Sequence, residues 1–287
     1  MNPTFYRRSY TFRDGLTLEL GQRTLIMGIL NATPDSFSDG GRYNEVGAAV
    51  ARAEQMAEEG ADLIDIGGES TRPGHAPVSV EEELARVLPI IRAVKERVKL
   101  PISVDTYKAE TARQALEAGA HIINDIWGFK RDPDMAGVAA KSGCPVILMH
   151  NRDNRDYRCF MADVLNDVRE SIDIALAGGV RKDRIWLDPG LGFAKDYEEN
   201  LEIMGRLGEL AGLGYPVLLA ASRKRFIQQT LGVTASEAAE GTGTTTALGI
   251  AQGCQIVRVH DILLSKRMAA MADAVVYRRR SEEAANG

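Results

Sequence analysis

The chain has 287 residues, 45% of them hydrophobic and 26% charged, which suits one (β/α) barrel or two smaller globular domains. A formal net charge of -5, with no basic block outside the tail, argues against a nucleic-acid partner. No apolar run approaches a membrane span, and the basic start Met1-Asn2-Pro3-Thr4-Phe5-Tyr6-Arg7-Arg8 lacks the apolar stretch of a signal peptide, so no membrane association is expected. Cys144, Cys159 and Cys254 are scattered without Cys-x-x-Cys spacing, which reads against a disulfide framework and zinc and for a reducing, cytoplasmic location.

Taken in order, Tyr10 to Leu20 alternate around Asp14-Gly15, which predicts a hairpin covering one end of the domain. Leu25-Ile26-Met27-Gly28-Ile29 reads as a buried strand. The stretch Leu30-Asn31-Ala32-Thr33-Pro34-Asp35-Ser36-Phe37-Ser38-Asp39-Gly40-Gly41 follows it. It is longer and more polar than a strand–helix turn needs, and Phe37 has no evident packing partner there. A solvated surface loop is the plain alternative.

From there a unit recurs in which a helix ends near a glycine and an apolar strand follows. Glu58-Glu59-Gly60 leads to Leu63–Ile66, Glu117-Ala118-Gly119 to Ile122–Ile123, and Lys141-Ser142-Gly143 to Val146–Met149. The helices carry apolar residues at 3–4 spacing, as in Val46, Val50, Ala53 and Ala57. Val80 to Val98 is predicted as another, with Glu81-Glu82-Glu83 in its first turn. The strands are Leu25–Leu30, Leu63–Ile66, Ile102–Val104, Ile122–Ile123, Val146–Met149, Ile185–Leu187, Val217–Leu219 and Ile256–Val259. Eight β/α units in this length predict an α/β fold, a (β/α)8 TIM barrel with an N-terminal β-hairpin, over an open doubly wound sheet. The expected division is 1–24 for the N-terminal segment and hairpin, 25–277 for the barrel and 278–287 for a charged, frayed tail.

In such a barrel the C-terminal strand ends face the active site. Here they are polar one after another: Asn31, Asp65, Asp105, Asn124, His150, Asp188, Ser222 with Lys224, and Arg258 with His260. A single Asp after a strand is commonly a helix cap, but so many polar groups at one mouth need partners. Asp105, Asn124 and Asp188 match the donors and acceptors of a flat aminated heterocycle. Lys224, Arg258 and His260 suit an anion such as pyrophosphate, and the Asn31 amide oxygen suits Mg²⁺ beside phosphates. Thr71 and Arg72, after Gly67-Gly68-Glu69-Ser70, form a second glycine-containing loop.

With these motifs the chain resembles the dihydropteroate synthase family from about Leu25 to Val276. The resemblance is carried by Gly28–Gly41, Asp65–Gly74, Ser103–Thr106, Ile123–Asp125, Leu187–Phe193, Ser222–Lys224 and Arg258–Asp261. It implies a cytoplasmic, homodimeric, Mg²⁺-requiring TIM-barrel transferase targeted by sulfonamides. Its reaction would join 6-hydroxymethyl-7,8-dihydropterin pyrophosphate to p-aminobenzoate, giving 7,8-dihydropteroate and pyrophosphate. By position it implies Asp105, Asn124, Asp188 and Lys224 for the pterin and Asn31, Arg258 and His260 for pyrophosphate, with Asn31 at the metal. Phe37, Asp39, Thr71, Arg72, Phe193 and Ser222 fall to p-aminobenzoate, and Asp105, Lys224, Arg258, Phe37 and Asp39 are the catalytic set. Pyrophosphate would leave first, and the arylamine would attack the resulting pterin cation.

Two stretches depart from the family pattern. Ala220-Ala221 is expected to crowd the p-aminobenzoate site, and the His150–Asn154 loop receives no role beyond a rim contact by His150. A folate- and corrinoid-dependent methyltransferase of the same barrel type, or a catalytically silent pterin-binding homologue, are the alternatives; the anion set and opening loop speak against the first, the intact buried charges against the second. His121 reads as surface and His75 as solvated; Trp127 and Phe129 suit either the pterin face or the core. Gly241-Thr242-Gly243-Thr244 reads as a Thr-capped helix start rather than a phosphate loop.

Overall fold

A computed structural model of the chain describes residues 5–32, 41–69 and 77–277. Strands β1 (Arg8–Thr11) and β2 (Thr17–Leu20) form an antiparallel pair with Tyr10 opposite Leu18. Eight parallel strands then close into a barrel: β3 (Leu25–Asn31), β4 (Leu63–Gly67), β5 (Ile102–Asp105), β6 (Ile122–Asp125), β7 (Val146–Met149), β8 (Ile185–Asp188), β9 (Val217–Leu219) and β10 (Cys254–Val259). They pair in chain order, and β10 closes onto β3. This is the predicted (β/α)8 architecture with its N-terminal hairpin.

The helices surround the barrel: α1 (Gly41–Glu59), α2 (Val80–Arg97), α3 (Ala109–Ala118), α4 (Met135–Ser142), α5 (Phe160–Ala177), α6 (Tyr197–Gly205), α7 (Leu207–Ala211), α8 (Arg225–Leu231), α9 (Ala239–Ala251) and α10 (Ile262–Val276). Helix α2 starts at the cap Ser79, whose hydroxyl accepts from Glu82 N at 3.2 Å, and Val98 lies just past its end. Gly119 and Gly143 take φ of 120° and 69° at the ends of α3 and α4, a region that disfavours any residue with a Cβ.

Strand alternation sorts the core into two sets. Outward residues such as Ile64, Ile66, Val104, Ile123, Leu148, Leu187 and Val257 join the helix side chains in one large cluster. Inward residues Leu25, Met27, Leu63, Ile122, Ile147, Trp186, Leu218 and Ile256 fill the barrel's lower interior, and the hairpin adds Tyr10, Leu18 and Leu20. The hairpin therefore plugs the end opposite the strand C-termini. Its anchor is the Tyr10 hydroxyl, which accepts from Trp186 Nε1 at 2.7 Å and donates to the Asp183 carbonyl at 3.1 Å.

Two expectations fail for packing reasons. His121 is 6% exposed, not a surface residue: its Nδ1 accepts from Ile102 N at 2.9 Å and its Nε2 meets Asp14 Oδ2 at 2.9 Å, so it ties the hairpin turn to β5. Gly241–Thr244 is not a Thr-capped start, because α9 begins two residues earlier behind Ala238, which makes no side-chain cap. The glycines there serve close approach. A Cβ on Gly241 would sit 2.3 Å from Ile227 Cγ2, and one on Gly243 would sit 2.0 Å from Met268 Sδ.

Tyr10→Phe is expected to lower stability by about 1–3 kcal/mol, since it leaves a buried indole N–H without an acceptor. Urea unfolding with unchanged m-value checks it, and turnover should stay at the wild-type level because the plug lies at the far end.

Candidate active site

The inward parity that places Leu63, Ile122, Trp186 and Ile256 inside the barrel places Asp65, Asn124, Asp188 and Arg258 two residues further along, at its mouth. Asp105 follows Ser103 in the same way on β5. Asp65 is fully buried, and Asp105, Asn124 and Asp188 are 8%, 5% and 3% exposed. Charges in such a place need partners. Arg258 supplies them: its Nε donates to Asp65 Oδ2 at 2.6 Å and its Nη2 to Asp105 Oδ2 at 2.9 Å. Asn124 Nδ2 donates to the same Asp65 oxygen at 3.1 Å.

The structure thus joins Arg258, expected on the anion side, to Asp105, expected on the ring side. At its centre is Asp65, a strand-end residue to which the sequence reading gave no role. Its signal was present, since it lies on the inward parity of β4. Asp65 Oδ1, Asp105 Oδ1 and Ser103 Oγ are buried without a hydrogen-bond partner among the described residues. Two carboxylate acceptors and one hydroxyl, on two neighbouring strands, are thus turned into the barrel.

Asp188 sits opposite. Its Oδ1 accepts from Gly190 N at 2.7 Å, and burial raises its carboxyl above the usual range. Lys224, the residue before α8, lies with Nζ 4.5 Å from the centre of the Phe193 ring. Burial lowers its ammonium to about 8, with Asp188 pulling the other way. Lys224 reaches the mouth because Arg223 turns the chain at φ 56°, held there by a two-oxygen pair with Asp261 at 2.8 and 3.0 Å. Ser222 Oγ meets His260 Nδ1 at 3.0 Å, so two residues expected on different substrates touch each other. Asn31 is exposed at the end of β3, opposite Gly67.

Phe37, Asp39, Thr71 and Arg72 lie outside the described residues, as does His75. Ala221 packs among the helices and Ala220 against the barrel interior. Phe129 belongs to the core rather than the mouth, while Trp127 is half-buried under the Arg131 guanidinium at 3.8 Å. The expected rim contact of His150 does not occur. The ring is 1% exposed and lies between Asp167 and Lys195. Asp125, on the outward parity of β6, binds the Trp127 and Phe129 amides at 2.7 and 3.0 Å and so shapes the β6 turn.

Burial, and then the Asp65 carboxylate, push the Asp105 carboxyl up to about 7 against the pull of Arg258. In the unfolded chain an aspartate ionises near 3.8. Between about pH 4 and 7 the folded chain therefore holds a proton the unfolded chain has lost, so unfolding free energy falls as pH rises through that window and levels off above it. Asp105→Asn is expected to remove this contribution, leaving the variant best placed relative to wild type near pH 8. Urea melts of both proteins across that range check it; a constant difference would contradict the assignment.

The profile of pterin binding enzymes matches residues 27–260. The dihydropteroate synthase of Clostridium beijerinckii is 56% identical over 260 residues, covering 90% of this chain and 97% of that one. Among solved structures, Xanthomonas albilineans dihydropteroate synthase with 4-aminobenzoic acid matches with a TM-score of 0.88 and 41% identity, over 95% of this chain and 98% of that one. The Yersinia pestis dihydropteroate synthase in complex with a sulfonamide drug matches with a TM-score of 0.85 and 40% identity, over 93% and 98%. Covered almost end to end by such relatives, and carrying at its mouth the buried carboxylates, amide and cations just described, the chain belongs to the pterin-binding enzymes and, among them, to the dihydropteroate synthase family of transferases.

Proposed function

We propose that the chain joins 6-hydroxymethyl-7,8-dihydropterin pyrophosphate to p-aminobenzoate, releasing 7,8-dihydropteroate and pyrophosphate for folate biosynthesis, and that sulfonamides compete for its second site. One observation carries the reading: acceptor atoms of Asp65 and Asp105 are buried at the mouth without partners among the described residues, beside Asn124 and Asp188. An aminated ring brings the donors such acceptors require.

In this reading Asp105, Asn124, Asp188 and Lys224 hold the pterin, with the carboxylates on its amino and ring N–H groups. The bond from the methylene carbon to the pyrophosphate oxygen breaks, and its electron pair leaves with the pyrophosphate. Asp105 and Asp188 stabilise the positive charge left on the pterin. The arylamine lone pair then forms the new C–N bond, and its nitrogen gives up a proton to solvent. Arg258 commits Nε to Asp65 and one Nη2 hydrogen to Asp105, which leaves Nη1 for the departing anion together with His260. Phe193 and Ser222 border the second substrate; Phe37, Asp39, Thr71 and Arg72 complete its pocket on the strength of the resemblance.

Among the described residues no cluster of three or more His, Cys, Asp or Glu side chains could hold a metal. The donors that fit Mg²⁺ are the Asn31 amide oxygen and the phosphates of the substrate itself, a pattern usual for this ion. When bound, the ion would neutralise charge on the leaving group.

The working unit in this reading is a cytoplasmic homodimer. No helix among the described residues is long and apolar enough to cross a membrane. Helices α9 and α10 carry Leu248, Leu263, Met271 and Val275, which are 53%, 45%, 67% and 51% exposed, and this apolar exposure supports the dimer reading.

Pyrophosphate release and dihydropteroate formation that require both substrates test the reaction; product with neither dependence would refute it. Asp188→Ala should lower affinity for the pterin by roughly a hundredfold, as expected for two hydrogen bonds to a charged acceptor. Calorimetry on the folded variant checks this. Met271→Glu should shift sedimentation from dimer to monomer, and a monomeric wild type would refute the dimer.

A further inference from the structure

The loop that leaves β8 carries Phe193 to Lys224, and its backbone is held in an uncommon shape. Gly190, Gly192 and Ala194 take φ of 68°, 79° and 45°. For Ala194 that is an unfavourable region, which persists only where surrounding contacts enforce it. Gly190 passes so close to the end of β7 that a Cβ there would lie 1.9 Å from the His150 carbonyl oxygen. Asn200 Oδ1 accepts from Gly192 N at 2.7 Å and the Tyr157 hydroxyl donates to the Ala194 carbonyl at 2.8 Å, and three further contacts converge on one side chain. Lys195 is 9% exposed, and its Nζ lies 2.9 Å from the Gly190 carbonyl, 3.1 Å from the Phe193 carbonyl and 2.8 Å from His150 Nδ1. An ammonium has three N–H groups, and here each has an acceptor within the protein.

The His150 ring is correspondingly fixed. Burial, and then the Lys195 charge, hold it neutral by pushing it down to about 4. A neutral ring that accepts at Nδ1 carries its proton on Nε2, which meets Asp167 Oδ2 at 3.0 Å. Asp167 is in turn held by Arg152 Nε and Nη2. The chain from α5 through the β7 loop to the β8 loop is thus a continuous set of hydrogen bonds, ending on the two carbonyls that bracket Leu191 to Phe193.

We infer that Lys195 and His150 are positioning residues for the second substrate: together they fix the Gly190–Phe193 backbone and so set where the Phe193 ring stands against Lys224. This rests on the reaction proposed above. It gives a task to the β7 loop, and it separates the two substrates. The Asp188 backbone is carried by the β8 ladder, where Met149 pairs with it, and its carboxylate meets the clamped segment at one point, the Gly190 amide. Phe193 has no ladder to hold it.

Three variants test the inference. Lys195→Met keeps the apolar stem and removes all three donors. His150→Leu breaks the same restraint from the other side, should the first variant fail to fold. His150→Gln keeps one acceptor and one donor. In both breaking variants the KM for p-aminobenzoate should rise about tenfold or more, while calorimetric affinity for the pterin pyrophosphate falls by a clearly smaller factor; His150→Gln should stay within about threefold for both. Amide exchange in the Gly190–Phe193 segment should quicken in the breaking variants alone. An unchanged KM for p-aminobenzoate, an equal loss for the two substrates, or unaltered exchange overturns the inference. A purely structural role would lower the melting temperature without dividing the two substrates. Failure of the wild type to form dihydropteroate would overturn the reaction instead, and exchange would still report on the clamp.

Discussion

Eight parallel strands closed on themselves leave no freedom in which side chains face the axis. Alternate residues point inward whatever their chemistry, and the rest of the molecule accommodates that. Below, the inward positions are apolar and the hairpin seals them with Tyr10, Leu18 and Leu20. Two residues further along five of the eight strands stand Asp65, Asp105, Asn124, Asp188 and Arg258, with Ser103 already polar below Asp105. Apart from Asp125, whose carboxylate is taken up by the turn after β6, the outward positions named above are apolar and join a separate cluster with the helices. A continuous packed shell therefore supports a polar mouth that would be costly to build anywhere less rigid.

Arg258 makes that mouth tolerable. Two neighbouring strands bring the carboxylates of Asp65 and Asp105 into the same buried space, and like charges there repel strongly. One guanidinium spans both, yet each carboxylate keeps an oxygen without a partner among the described residues. The two carboxylates share one counter-charge, and each is left a hydrogen bond short among the described residues. A ligand bringing N–H groups relieves this deficit, so the cost of leaving those atoms bare in the free protein becomes a preference for the bound state. Around the axis the cations are placed by different means. Arg258 is carried by a strand, whereas Lys224 is swung in by the left-handed turn at Arg223.

The residues of the β7 loop are not ornaments of the rim. His150 lies inside, between Asp167 and Lys195, and its loop braces the one that carries Phe193. The mouth thus has two kinds of support: ladder hydrogen bonds for residues on strands, and a buried ammonium for a ring carried on a loop. Rigid placement of both kinds matters to a reaction run by orientation and charge rather than by a protein nucleophile.

The sequence by itself determined the strand count, the hairpin and most of the strand-end set, because those depend on short-range alternation, glycine helix ends and the two-residue step from an inward apolar residue to an inward polar one. That same step made Asp65 visible as a strand-end residue, but only the closed barrel showed that it holds Arg258 and Asn124 at once, since its partners lie 193 and 59 residues away in the chain. His121 and His150 were misplaced for the same reason: a histidine beside a strand carries no local mark of whether an aspartate from a distant turn or helix will meet it. Gly241 and Gly243 resembled a helix start because glycine is ambiguous in sequence; the tertiary structure decided that they make room for Ile227 and Met268. Local periodicity fixes which way a side chain points, and only packing of the whole chain decides what it finds there.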